Sequence, residues 1–140
     1  MVGDAANRND TPMGDTGDIV AAWLKYHELL EKSGDLSGQS SIADEYLWAL
    51  ERIDKMVKQD PEASWRLIME LVLRAHSDYQ LASLASGPLE DLLVKHGSEF
   101  IERVERAAAN NERFRETLVG VWRNEIPEDV WTRVEIARGT

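Results

Sequence analysis

The same helix start occurs twice in this chain, as Pro-Glu-x-x-Trp at residues 61–65 and again at 127–131. A related start is Gly87-Pro88-Leu89-Glu90. Proline suits the first position of a helix, where its missing N–H costs no hydrogen bond. The acidic residue that follows meets the positive end of the helix dipole. The pattern predicts several short helices with sharply defined starts. Two copies do not indicate a repeat array, because shared helix-start chemistry explains them equally well.

Apolar residues recur at helical spacing through most of the chain, and no segment shows sustained strand alternation between turn signals. The predicted helices begin at Asp18, Ser41, Pro61, Asp78, Pro88, Ser98, Asn110 or Asn111, and Pro127. The second of these helices is expected to run to about Gln59 without a break. Gly97 is expected to end the fifth helix as its C-cap.

Short connections force consecutive helices to lie side by side. The predicted fold class is therefore all-α, either a compact bundle or a short α-solenoid-like stack of about eight short helices. Residues 18–138 form the predicted single helical domain, and residues 1–17 a disordered N-terminal tail that is rich in small and polar residues. The helix from Pro61 is apolar on two sides, which is typical of a helix buried between neighbours. We expect it at the centre of the fold.

The chain has five tryptophans, and helical phase separates one of them from the others. Trp23, Trp65 and Trp131 are predicted core residues, and Trp122 is expected to close the C-terminal part of the core. Trp48 points away from the apolar stripe of its helix. Two interpretations of Trp48 stay open. Either it packs against a second layer of helices, which we favour, or it is exposed and marks a partner-binding surface.

The net charge is −10, and most of it lies in the first part of the chain. Residues 1–62 hold 13 acidic and 6 basic residues, a net charge of −7. Such acidity repels phosphate groups and argues against direct nucleic-acid binding. It suits a basic protein partner, or it only keeps the protein soluble. The chain has no cysteine, no apolar run long enough for a membrane helix and no secretion signal. We therefore expect a cytoplasmic protein that does not bind membranes.

Histidines and paired carboxylates are the candidate chemical groups, and neither set forms a recognisable site in the sequence. His27 and Glu31 lie one helical turn apart, but the second histidine of a zinc-binding helix is missing. His27 is therefore predicted to be a helix-surface or edge histidine beside a carboxylate. Carboxylate pairs such as Glu90 and Asp91 fall in first turns, where exposed acids stabilise the helix. We predict no catalytic, cofactor-binding or metal-binding residue.

Two blocks of sequence resemble a bacterial family of small proteins known only as a domain of unknown function. The first block begins Gly87-Pro88-Leu89-Glu90-Asp91-Leu92-Leu93 and continues through His96-Gly97, Phe100-Ile101 and Arg103-Val104-Glu105. The second comprises Phe114-Arg115, Gly120-Val121-Trp122, Asn124, Ile126-Pro127, Asp129-Val130-Trp131 and Arg133-Val134. The segments Tyr46-Leu47-Trp48-Ala49 and Asp60-Pro61-Glu62 with Trp65 are also similar to the family, so that the resemblance covers about residues 20–136. It implies an all-helical small protein and no established activity, cofactor or catalytic residue. It also implies a loose association with mobile or conflict-related genes.

These observations predict a non-enzymatic, acidic protein-binding module without a cofactor. An immunity protein or an anti-defence inhibitor is its most concrete form. The alternatives are a nucleic-acid-mimicking inhibitor and a small metal-dependent enzyme that uses the His27/Glu31 helix. The candidate partner-binding residues lie in the two N-terminal helices and are Trp48, Asp44, Glu45, Glu51, Asp54, Glu28 and Glu31.

Overall fold

A computed structural model describes residues 12–33 and 41–139, and this part of the chain contains helices and connections but no β-strand. The helices are α1 (Pro12–Ser33), α2 (Ser41–Asp44), α3 (Leu47–Gln59), α4 (Pro61–Arg74), α5 (Asp78–Leu84), α6 (Glu90–Asn110), α7 (Glu112–Val119) and α8 (Glu128–Arg138). A π-helical turn at Ala85–Leu89 joins α5 to α6 without a break. The all-α prediction is confirmed, and the helices pack in a compact arrangement.

Helix α4 lies at the centre of this arrangement, as its two apolar sides predict. It contacts α1, α3, α5, α6, α7 and the π-helical turn. Its start is fixed by Asp60, whose side chain accepts a hydrogen bond from the Ala63 N–H at 3.2 Å, with Pro61 in the first turn. Both sides of the helix enter the core, through Leu67, Ile68, Leu71 and Val72.

The N-terminal helices differ from their predicted bounds. Helix α1 begins at Pro12 rather than at Asp18, and residues 1–11 of the predicted disordered tail lie outside the described part. The predicted helix from Ser41 to Gln59 is interrupted, because Tyr46 adopts φ −110° and ψ 2°. Ala43 and Ala49 are both buried. Six residues of unbroken helix would place their side chains about 120° apart around the helix axis, and the interruption lets both face the core.

Pro88 does not begin a helix as the sequence predicted, whereas the predicted boundary at Gly97 lies directly after a kink in the structure. Pro88 lies inside the π-helical turn, where the wider turn relieves the clash of its ring with the preceding carbonyls. Near Gly97 the helix bends at His96, whose φ of −137° and ψ of 25° are not helical. A Cβ atom on Gly97 would come within 2.9 Å of a Val130 methyl group on α8. Gly97 therefore permits close packing of α6 and α8, and it directly follows the kink that separates the two helical parts of α6.

In the C-terminal part of the chain, the helices start close to their predicted positions, whereas one predicted core residue is exposed. Asn111 caps α7 by accepting a hydrogen bond from the Phe114 N–H at 3.1 Å. Pro127 is the N-cap residue of α8, so the helix begins at Glu128, one residue later than predicted. Trp122 is 72% exposed, so the prediction that it closes the core is wrong. Val121 and Ile126 are the buried residues of this connection.

The three tryptophans that were predicted as core residues pack on the core. Trp23 is buried. Trp65 is partly buried against Phe100 and Phe114, with ring centroids 6.0 and 5.8 Å away. Trp131 is also partly buried, and the Arg138 guanidinium lies over its ring at 4.7 Å. These rings connect α1, α4 and α8 to the core.

Candidate functional site

Trp48 lies on an exposed surface at the start of α3. Trp48 is 40% exposed and its neighbour Leu47 is 37% exposed. The buried stripe of α3 is formed by Ala49, Ile53, Met56 and Val57, and Trp48 falls outside it. The favoured interpretation, packing against a second layer of helices, is therefore wrong. Trp48 is exposed, and its role in partner binding stays a prediction.

Three carboxylates surround these two apolar side chains in the sequence. Asp44, Glu45 and Glu51 are exposed, and none of them forms an ion pair within the described chain. Leu47 and Glu51 lie one turn apart on the same side of α3. The Arg52 guanidinium lies 6.0 Å from the Trp48 ring. We call Asp44, Glu45, Leu47, Trp48 and Glu51 the Trp48 face.

The remaining candidate carboxylates are arranged differently. On α1, Glu28 pairs with Lys32 at 2.9 Å and with Lys25 at 3.8 Å. The hydrogen bond from Lys32 is the main cause that lowers the pKa of Glu28, and the charge of Lys25 adds to it. Glu31 is exposed on the same helix, and Asp54 pairs with Lys58 on α3 at 3.1 Å. Glu28 and Asp54 are thus already paired with lysines of their own helices.

His27 is partly buried, and aromatic side chains lie beside its imidazole. Its ring lies among three aromatic rings, with centroid distances of 4.2 Å to Trp23, 5.1 Å to Tyr26 and 5.9 Å to Tyr79. Burial lowers the pKa of His27 to about 4, so the imidazole is neutral near pH 7. Its Nδ1 atom is buried and has no hydrogen-bond partner in the described chain.

The His27 ring lines a cleft of about 230 Å³ between α1, α3 and the α5–α6 connection. We call this the His27 cleft. Its lining residues are Trp23, His27, Leu50, Ile53, Asp54, Ser83, Gly87, Pro88 and Asp91. Sequence reasoning missed it, because three distant segments form its walls. The one sequence signal for this cleft was Gly87-Pro88 within a helical stretch. These two residues lie in the π-helical turn. Such turns are frequent at functional sites.

Asp91 lies in the first turn of α6, where the sequence predicted an exposed carboxylate. It is half-buried and lines the His27 cleft. Burial is the main cause that raises the pKa of Asp91, and the charges of Asp54 and Glu90 raise it further. Lys95 and Lys58 act in the opposite direction but do not reverse the shift. Ionised Asp91 is therefore an incompletely compensated charge at the cleft.

The described residues do not assemble a metal site of the kind that the His27/Glu31 alternative needs. Within residues 12–33 and 41–139, no three histidine or carboxylate side chains come together in a way that could hold an ion. No helix in the same part of the chain is long and apolar enough to cross a membrane.

Comparison with known proteins places the chain in one family. The model of a family of unknown function (DUF6869) matches residues 37–140, and the chain belongs to that family. No curated protein matches the chain significantly, and no solved structure does so either. The family match agrees with the resemblance found in the sequence.

Proposed function

We propose that this member of the family of unknown function is a non-enzymatic protein-binding module whose Trp48 face binds a basic surface of another protein. The observation that carries the proposal is an exposed tryptophan beside an exposed leucine and three carboxylates without ion pairs in the described chain. Tryptophan is enriched among the residues that dominate binding energy at protein interfaces. The carboxylates around it favour a partner of opposite charge.

The position of Trp48 on a helix supports a binding role. Ala49 and Ile53, the neighbouring core residues on α3, are fully buried. The backbone that carries Trp48 is thus fixed by the core, so that little backbone order has to be gained when a partner binds. An immunity protein or an anti-defence inhibitor remains the most concrete form of this proposal, because either would act by occupying a partner's surface without chemistry of its own.

The test compares two exposed tryptophans of the same chain. Trp48→Ala removes the ring from the Trp48 face, whereas Trp122→Ala removes the more exposed ring in the α7–α8 connection. A protein cross-linked to the wild-type chain in its host is identified, and its affinity for all three chains is measured by calorimetry. Truncation of an interface hot spot costs about 2 kcal/mol or more, so we expect Trp48→Ala to weaken binding about 30-fold or more and Trp122→Ala to have little effect.

Two results would contradict the proposal. One is an affinity for Trp48→Ala equal to that of the wild type, and the other is a larger loss in Trp122→Ala than in Trp48→Ala. Circular dichroism and thermal unfolding of both variants serve as controls, because truncation of an exposed ring should leave the fold intact.

A further inference from the structure

The geometry points to the His27 cleft as a binding pocket for an alkylammonium group, carried either by a free primary amine or by a lysine side chain. Such a group combines a short apolar chain with one positive charge at its end. The cleft offers a matching combination, with apolar walls and two carboxylates. This inference is independent of the Trp48 face.

The apolar part of the cleft fits the alkyl chain. Leu50 and Ile53 line it from α3, Pro88 from the π-helical turn, and the Trp23 and His27 rings from α1. An apolar cavity of about 150 Å³ holds a benzene molecule, so a cleft of about 230 Å³ accommodates a chain of roughly four to six carbon atoms. The same volume is too small for most drug-sized ligands, whose pockets begin at about 300 Å³.

The polar part of the cleft fits the ammonium group. Asp54 and Asp91 line the cleft from different helices and are close enough for the charge of one to act on the other. No ion pair to Asp91 is present within the described chain. Asp54 pairs with Lys58, but both side chains of this pair are exposed, so that solvent screens it. A bound ammonium group would bring a positive charge to Asp91, which has no ion pair in the described chain, and close to Asp54.

His27 favours a cation over an anion at this position. Its imidazole is neutral near pH 7, because burial lowers its pKa to about 4, and it therefore adds no positive charge that would repel an ammonium group. An anionic ligand would instead meet two like charges in the cleft.

The test uses n-pentylammonium and neutral n-pentanol as a matched pair of probes, followed by two-dimensional NMR of the labelled protein. We expect saturable shifts of residues lining the cleft with n-pentylammonium and an affinity at least tenfold lower for n-pentanol. Asp91→Asn should lower the n-pentylammonium affinity at least fivefold. Asp44→Asn, which removes a carboxylate outside the cleft, should leave that affinity unchanged. Thermal unfolding confirms that both variants are folded.

A lysine peptide distinguishes the two sources of the ammonium group. An acetylated pentapeptide with a central lysine is compared with the same peptide carrying norleucine. Binding of the lysine peptide together with the amine assigns a partner's side chain as a ligand, and binding of the amine alone assigns a free amine. Equal binding of n-pentylammonium and n-pentanol, no effect of Asp91→Asn, or no shifts at the cleft with either ammonium probe would overturn the inference.

Discussion

At the scale of single residues, the surroundings of His27 determine its chemistry. The sequence shows an isolated histidine one turn from a glutamate, whereas the fold surrounds its ring with Trp23, Tyr26 and Tyr79. Burial disfavours the charged imidazolium, and the pKa falls from 6.5 to about 4. The unfolded chain therefore binds more protons than the folded chain between these two pH values. The stability of the fold must decrease as the pH falls through this range.

This decrease of stability with falling pH gives a prediction for His27→Gln, which removes the titrating group. Between pH 7 and pH 4 the wild type should lose about 2 to 3 kcal/mol of unfolding free energy relative to the variant. Below pH 4 the difference should stop changing. The measurement is urea unfolding of both proteins across this pH range. A constant difference between them from pH 7 to pH 4 would show that the folded state does not disfavour the imidazolium.

The contribution of Asp91 to stability has the opposite pH dependence to that of His27. Its raised pKa means that ionisation is harder in the folded chain than in the unfolded chain. The ionised form therefore costs stability above the folded pKa, and this cost disappears when the carboxyl group is protonated at low pH. We expect Asp91→Asn to raise the melting temperature at pH 7 and to lose this advantage near pH 3. A lower melting temperature for Asp91→Asn at pH 7 would contradict the assignment.

At the scale of helices, the packing of α6 on α8 depends on Gly97. Its missing Cβ leaves room for Val130, whose nearest methyl carbon would lie at 2.9 Å, whereas a Cβ on Gly87 would meet no atom within 4 Å. Gly97→Ala should lower the unfolding free energy by about 1 to 3 kcal/mol through overpacking, and Gly87→Ala should not. Thermal unfolding measures both. The Gly97→Ala/Val130→Ala double variant should show a favourable coupling energy, and strict additivity of the two changes would rule out the contact.

A second prediction at this scale concerns the end of α4. Arg113 on α7 donates from Nε to the Val72 carbonyl at 2.6 Å and from Nη2 to the Ala75 carbonyl. These bonds satisfy carbonyls that a helix end leaves without partners, and they bring a positive charge to the negative end of the dipole. Arg113→Met should cost about 1 to 3 kcal/mol in chemical unfolding. Arg106→Met, on the exposed side of α6, is the control and should cost less than 0.5 kcal/mol, as is typical of surface changes. Equal losses would disprove the capping role.

Local chemistry predicted helix boundaries where a side chain fixes them. Asp60 before Pro61 and Asn111 before α7 are examples, because each cap depends on residues three positions apart. The interruption at Tyr46 and the π-helical turn around Pro88 could not be predicted in this way, because tertiary packing decides them. The same reason applies to the candidate sites. Helical phase indicated that Trp48 lies off the apolar stripe, but the His27 cleft requires knowledge of how α1, α3 and α6 pack.

At the scale of the whole molecule, charge should govern how fast a partner binds. The net charge is −10, and the Trp48 face carries three carboxylates without ion pairs in the described chain. Association of opposite charges is accelerated by long-range attraction that salt screens. We expect the association rate constant with the partner to fall severalfold between about 50 mM and 500 mM salt, with a much smaller change in the dissociation rate. Stopped-flow fluorescence measures both rates. An association rate that does not change with salt would show that charge attraction does not accelerate binding of the partner.

The location of the interface tests the central claim most directly. Hydrogen exchange is measured by mass spectrometry for the free chain and for its complex with the identified partner. Binding at the Trp48 face should slow the exchange of amides in residues 43–52 and leave residues 119–127, the connection that contains Trp122, unchanged. Protection confined to residues 119–127, with unchanged exchange in residues 43–52, would contradict the proposed function.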